Sequence, residues 1–227
     1  MLESSKDGKT QSEFKKITLT GLVYRFIFQL TAWSDLDTIQ ANGLSRIILS
    51  LLNVFYRKRG NTFSLAGWPL VTQIGGDQFQ TSIYSLEASI VKRSWLLDAP
   101  FDEVLDPHGI GDNYGVATQF PGKRPITVLT TAHIIHHRSN ENRLTPHVAY
   151  FRRILALHYF MNKNHNFSLL NRVFLIWSLV GNYFIQLIRR DHQYYMATLK
   201  AIKLIMTGQN PYVIGSLNGS THIIPEL

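Results

Sequence analysis

The sequence predicts an α/β domain with helical segments at both ends. Three observations carry that expectation. Apolar residues recur at helical spacing in residues 17–59 and again in 146–212. Residues 60–145 have a different texture: glycine and proline are frequent, apolar runs are short and acids cluster. The chain is also 45% hydrophobic and 12% aromatic, enough to bury a core within 227 residues.

Residues 1–16 are polar and read as a flexible tail, with no apolar stretch of the kind a secretory leader carries. Residues 17–31 form an apolar-rich helix candidate, with Tyr24, Phe26, Ile27, Phe28 and Leu30. Residues 44–56 form a second. Apolar side chains at 44, 47, 48, 51, 52 and 55 share one helical face, and Arg57-Lys58-Arg59-Gly60 supplies a basic last turn and a glycine stop. In the middle, residues 82–91 and 126–131 read as strands. Helices are expected again over 148–161, 169–188 and 193–206, the last stopped by Gly208 and Pro211, before a C-terminal tail at 213–227.

Charge narrows the setting. The formal charge is +8, and it is polarised. Residues 146–212 hold eight basic residues (Arg152, Arg153, Lys163, Arg172, Arg189, Arg190, Lys200, Lys203) against Asp191 alone, whereas 98–112 hold five acids and no Lys or Arg. A basic surface attracts anionic lipid or nucleic acid, and charge alone does not choose between them. There is no cysteine. That excludes a disulfide framework, a cysteine nucleophile and thiolate metal sites, and it fits a reducing cytoplasmic location. The apolar run 173–188 is interrupted by Ser178, Gly181, Asn182 and Gln186, and a bilayer span needs roughly 20 apolar residues. Aromatics bracketed by Arg172 and by Arg189-Arg190 suit a helix in the headgroup region, which would make the protein peripheral at the inner membrane face. A core helix is the alternative, and a span the last.

One ordered series points to a chemistry. Residues 85–93 read SLEASIVKR and are followed by Phe101-Asp102-Glu103. Gly109-Ile110-Gly111-Asp112-Asn113-Tyr114 comes next, then the strand candidate Pro125-Ile126-Thr127-Val128-Leu129, then His136-His137 and Arg143. In order and spacing, this series over residues 60–145 resembles the second, acceptor-side half of the GT-A fold in family 2 glycosyltransferases. In that family a strand with an "RR"-like turn precedes an "FDE" turn. An acidic "ED" motif then opens a helix, and a strand ending in histidine follows.

The resemblance implies an incomplete GT-A-like mixed sheet and an inverting transfer of a hexose from a UDP- or GDP-linked donor to a glycan or lipid-linked acceptor. Asp112 falls on the second acid of "ED" and is the implied catalytic base, with Gly111 standing where the family has the first acid. A base of this kind takes the acceptor hydroxyl proton as the oxygen attacks the anomeric carbon. Asp112 is also a good helix N-cap, and both roles can hold. His137 and Arg143 are the implied contacts to the donor diphosphate, His137 also a candidate ligand for Mn²⁺ or Mg²⁺. Trp68 is a candidate sugar-stacking platform or else a core residue. Asp106 and Asn113 are candidates for acceptor hydroxyls, Asp106 alternatively opening the turn before Pro107.

The donor-binding half with its metal-binding D-x-D is not evident ahead of the series. Asp35-Leu36-Asp37 is a literal D-x-D, but the segment before it, QLTAWS, makes a poor buried strand. These two acids are read first as turn and capping residues and second as metal ligands. The expectation is a truncated or partner-dependent form whose donor half is supplied separately, or else a catalytically silent membrane-surface or glycan-binding remnant. Nucleic acid is not an expected partner. A His-Asn-His nuclease reading of His136, His137, Asn140 or Asn142 and His158 lacks the expected ββα pattern.

Overall fold

The computed structural model describes residues 18–33, 36–83, 89–98, 101–105, 108, 110–111, 114–116, 126–132 and 144–227. Among them the order is α1 (Leu19–Ile27), β1 (Ala32–Trp33), a 3-10 turn (Leu36–Thr38), α2 (Leu44–Arg59), β2 (Leu70–Val71), β3 (Gln78–Thr81), α3 (Arg93–Asp98) and β4 (Ile126–Leu129). Four C-terminal helices follow: α4 (Pro146–Lys163), α5 (Leu169–Ile188), α6 (His192–Met206) and α7 (Pro211–Leu217). The fold is mixed α/β, as expected. In place of one mixed sheet, the described strands form two separate pairs, β1 parallel to β2 and β3 antiparallel to β4.

The main core is helical. Nine residues of α4 are buried, Phe151, Ile154, Leu155 and Met161 among them, because α5, α6 and α7 all pack around this helix. Ala197 and Ala201, one turn apart on α6, are fully buried and let the helices approach closely. Helix α5 starts at a capping box, Ser168 with Asn171, and matches the expected span 169–188 to the residue. No helix among the described residues is long and apolar enough to cross a membrane. Helix α7 is an addition to the sequence reading. Pro211 begins a helix there instead of only ending one, since Asn210 caps it by accepting the Tyr212 N–H at 3.0 Å.

A second cluster joins α1 and α2 to the β1–β2 pair through Leu22, Ala32, Leu36, Leu52, Tyr56 and Leu70. It sits against α5 at a close crossing. A Cβ on Gly181 would come 2.4 Å from Phe28 Cγ, so only glycine admits that ring. Tyr24 Oη donates to the Gly181 carbonyl at 2.6 Å, and Phe28 stacks on Trp177 at 4.9 Å. Helix α2 forms where its periodicity says and stops at Gly60 (φ 74°), but its buried face is rotated from the expected one, Leu52 and Phe55 alone of that face meeting the core. It buries Leu49, Leu52 and Tyr56 and exposes Leu44, Ile47, Ile48, Leu51 and Val54.

The strand expected over 82–91 is displaced. β3 ends at Thr81, and residues 89–92 are not in a strand, while 84–88 lie outside the described residues. Thr81 Oγ1 donates to the Asn61 carbonyl (3.1 Å) and accepts the Ile83 N–H (2.9 Å), a side-chain turn that closes the ladder. The tail after α7 is anchored as well. His222 and Ile223 donate N–H bonds to Glu103 and Val104 at 2.7 and 3.0 Å, and Arg152 Nε donates to the Pro225 carbonyl at 3.0 Å.

Candidate functional site

The chain leaves β3 at Thr81 and returns at Ile126, its register partner on β4. The excursion between them contains the SLEASIVKR, FDE and GIGDNY segments. Two sets of contacts tie its described parts to the helical core, and a third packs them on one another.

The first is at Asp102. Its carboxylate is almost wholly buried and accepts the Tyr159 hydroxyl at 2.8 Å and the Lys163 ammonium at 2.7 Å, both from the end of α4. Its other oxygen accepts the Val104 N–H at 3.2 Å, which shapes the turn. Asp102 is thus a structural anchor with its lone pairs in use. The ion pair is only half open to solvent, which makes it worth more than a surface pair.

The second is at Gly111. Its φ is 98°, and a Cβ there would lie 2.4 Å from the Ala156 Cβ of α4. Backbone at this point therefore rests directly on the helix. Tyr114 and Gly115 then donate to the Gly111 carbonyl at 3.0 and 3.3 Å, opening a helical turn at 114–116. The Tyr114 ring lies 6.3 Å from that of Phe63. Burial pushes the Tyr114 phenol up to about 12, with the Arg153 charge working the other way. The third is a small apolar cluster in which buried Val116 meets Val91, Trp95, Leu96 and Ile126, joining α3 to β4.

An open polar groove of about 490 Å³ lies beside β3, lined by Arg59, Asn61, Gln73, Phe79, Gln80 and Ser82 among others. Asn61 organises it. Its Oδ1 accepts the Thr72 and Gln73 N–H groups at 2.9 and 3.0 Å, and its Nδ2 donates to the Gln73 and Gln80 carbonyls at 2.7 and 3.0 Å. Gln80 Nε2 crosses to Thr127 Oγ1 at 2.9 Å. Arg59 is the one charged side chain of the lining; its Nε donates to the Phe63 carbonyl at 2.7 Å, and burial holds its guanidinium below the usual range. The lining is polar, but the Asn61 amide and the Gln73 and Gln80 Nε2 groups are bonded within the protein. Sequence reasoning missed this groove, because its residues come from three segments with no shared motif.

The residues singled out from sequence fall as follows. Asp112, Asn113, Asp106, His136, His137, Arg143 and Asp35 lie outside the described residues. Trp68 is corrected from platform to core. It is 5% exposed, and its indole N–H donates to Ser178 Oγ at 2.8 Å, so neither ring face is open to a sugar. Asp37 lies in the 3-10 turn and pairs with Arg57 at 3.0 Å, both side chains well exposed. Among the described residues, no three His, Asp or Glu side chains gather as a metal ion would need. No family model, no curated protein and no solved structure matches this chain.

Proposed function

We propose that this chain is the acceptor-side part of an inverting sugar transferase of the family 2 type, with donor binding completed outside residues 1–227. The observation that supports it most is the β3–β4 pair. It closes an excursion holding the three family-like segments, of which Asp102 and Gly111 both bear on the same helix, α4. A transferase needs its base held at a fixed distance from the bound acceptor. Anchoring Asp102 and Gly111 to one buried helix would lend that rigidity to the segment leading to Asp112.

In this reading Asp112 takes the acceptor hydroxyl proton, that oxygen bonds the anomeric carbon, and the nucleoside diphosphate leaves with the electron pair of the broken bond. His137 and Arg143 hold the diphosphate. Asp106, Asn113 and the groove beside β3 hold acceptor hydroxyls, and Trp68 takes no part. A divalent ion would add charge neutralisation on the diphosphate, with His137 its candidate ligand. Dependence on a separate donor half fits two further features. Among the described residues β1 and β2 form a parallel pair, an arrangement usual within a larger covered sheet, and the outward face of α2 beside it is apolar and exposed.

The alternative reading is a catalytically silent remnant that binds glycan through the groove. The experiment that separates the two is transfer of labelled sugar from UDP- or GDP-linked donors to lipid-linked acceptor, in membranes containing the chain, paired with Asp112→Asn. Loss of transfer with an unchanged melting curve supports the transferase reading. Transfer that survives Asp112→Asn removes Asp112 as the base and the reading with it.

A further inference from the structure

Helix α5 presents a second surface that the transferase reading does not use. Its inner face is buried through Leu175, Ser178, Leu179 and Gly181. The opposite face carries Val173, Trp177, Phe184, Leu187 and Ile188, all exposed to 44% or more. At 100° per residue these five fall within one arc of roughly 100°. Ile27 of α1, half exposed, extends the patch sideways, because the Trp177 indole N–H donates to its carbonyl at 2.8 Å. Trp177 is thereby fixed at the surface with its ring stacked on Phe28. From Val173 to Ile188 the stripe is about 24 Å long at ~1.5 Å per residue. Contiguous apolar surface of this extent marks an interaction face.

Charge identifies the occupant. The stripe itself holds no acid and no base, and it ends at Arg189-Arg190. Arg25 lies close enough to Arg189 for the two cations to repel. Its guanidinium is held below the usual range by burial chiefly, with Arg189 adding to the effect and Tyr56 opposing it. An anionic group arriving there relieves that repulsion.

We infer that the outer face of α5, with Ile27 beside it, lies in the plane of an anionic lipid bilayer, apolar side chains in the acyl boundary and Arg189-Arg190 among the headgroups. The stripe lies along a surface instead of crossing it, since the inner half of the same helix is committed to the protein core. This inference does not depend on sugar transfer. It applies equally to an active transferase and to a silent remnant.

The test is co-sedimentation of the full chain with vesicles of phosphatidylcholine alone or mixed with phosphatidylglycerol, beside a Phe184→Glu/Leu187→Glu variant of matched helical circular dichroism. The expected result is binding to the anionic vesicles, weakened by added salt and reduced at least about tenfold in the variant. Failure of the native chain to sediment overturns the inference. So does equal sedimentation of chain and variant, which would mean the basic surface alone is responsible. A dimer that the variant dissociates while vesicle binding is unchanged would assign the stripe to a second copy of the chain, and overturns it too.

Discussion

Acidification should destabilise this protein through His158. The imidazole sits on α4, and Asn210, the cap of α7, donates Nδ2 to both the Leu155 carbonyl and His158 Nδ1 at 2.9 Å. The Asn210 amide cannot be turned round, because its Oδ1 accepts the Tyr212 N–H. Nδ1 accepts that bond, and Nε2 lies 3.1 Å from a second amide donor, Asn162 Nδ2, so both ring nitrogens face N–H groups. Protonation would set two donors against each other. Burial chiefly, and the Arg172 charge of α5 second, lower the His158 pKa from 6.5 to about 4.

The sign follows from linkage. The unfolded chain binds this proton more readily, so the stabilisation is complete above the unfolded value and is lost as pH falls through the folded one. A tenfold change in protonation equilibrium is worth about 1.4 kcal/mol. The drop from 6.5 to about 4 thus corresponds to ~3 kcal/mol. That is a large part of the 5–15 kcal/mol typical of a domain, roughly speaking. The assay is urea unfolding of the native chain and of His158→Gln at steps from about pH 7.5 to about pH 4. The variant should be less stable near neutrality by ~1 kcal/mol, the net worth of a lost hydrogen bond. The gap should close and then reverse on acidification, since all other titrating groups are common to both proteins. A stability difference that stays constant across the series would refute the argument.

Two further outcomes follow from backbone geometry. Gly111→Ala should cost ~3 kcal/mol in urea unfolding, from a positive φ and a methyl pressed on Ala156, and Ala156→Gly in the same chain should recover part of it in a double-mutant cycle. Arg190 ends α5 in the left-handed region (φ 56°), with the Asp191 N–H returning to the Gln186 carbonyl at 3.0 Å. Arg190→Gly should therefore raise thermal stability by ~1 kcal/mol while weakening anionic vesicle binding, a separation that a purely structural arginine would not give.

Helix limits were legible wherever the stop and start signals are local. Ser168 with Asn171 opens α5, Gly60 closes α2, and the sequence reading placed both within the chain correctly. The cap Asn210-Pro211 was equally local, and α7 could have been read from it. The strand at 126–129 was legible as well, whereas the strand expected over 82–91 lies earlier, at 78–81. The side chains on which the catalytic argument turns, Asp112 and His137, lie outside the described residues.

What no local signal carried was the choice of neighbour. Periodicity in α2 favours the face of 44, 47, 48, 51, 52 and 55; the fold keeps Leu52 and Phe55 of it and buries Leu49 and Tyr56 beside them, because Ala32, Leu36 and Leu70 arrive on that side. Trp68 reads equally well as platform or core until Ser178, distant along the chain, meets its indole N–H. Asp102 belongs to a family-like turn, yet Tyr159 and Lys163 make it an anchor. Spacing along a chain describes an element's own faces, because rise and turn per residue are set by the backbone. Which face meets protein and which meets solvent or lipid depends on contacts between residues far apart in sequence, and those exist only once the chain has folded.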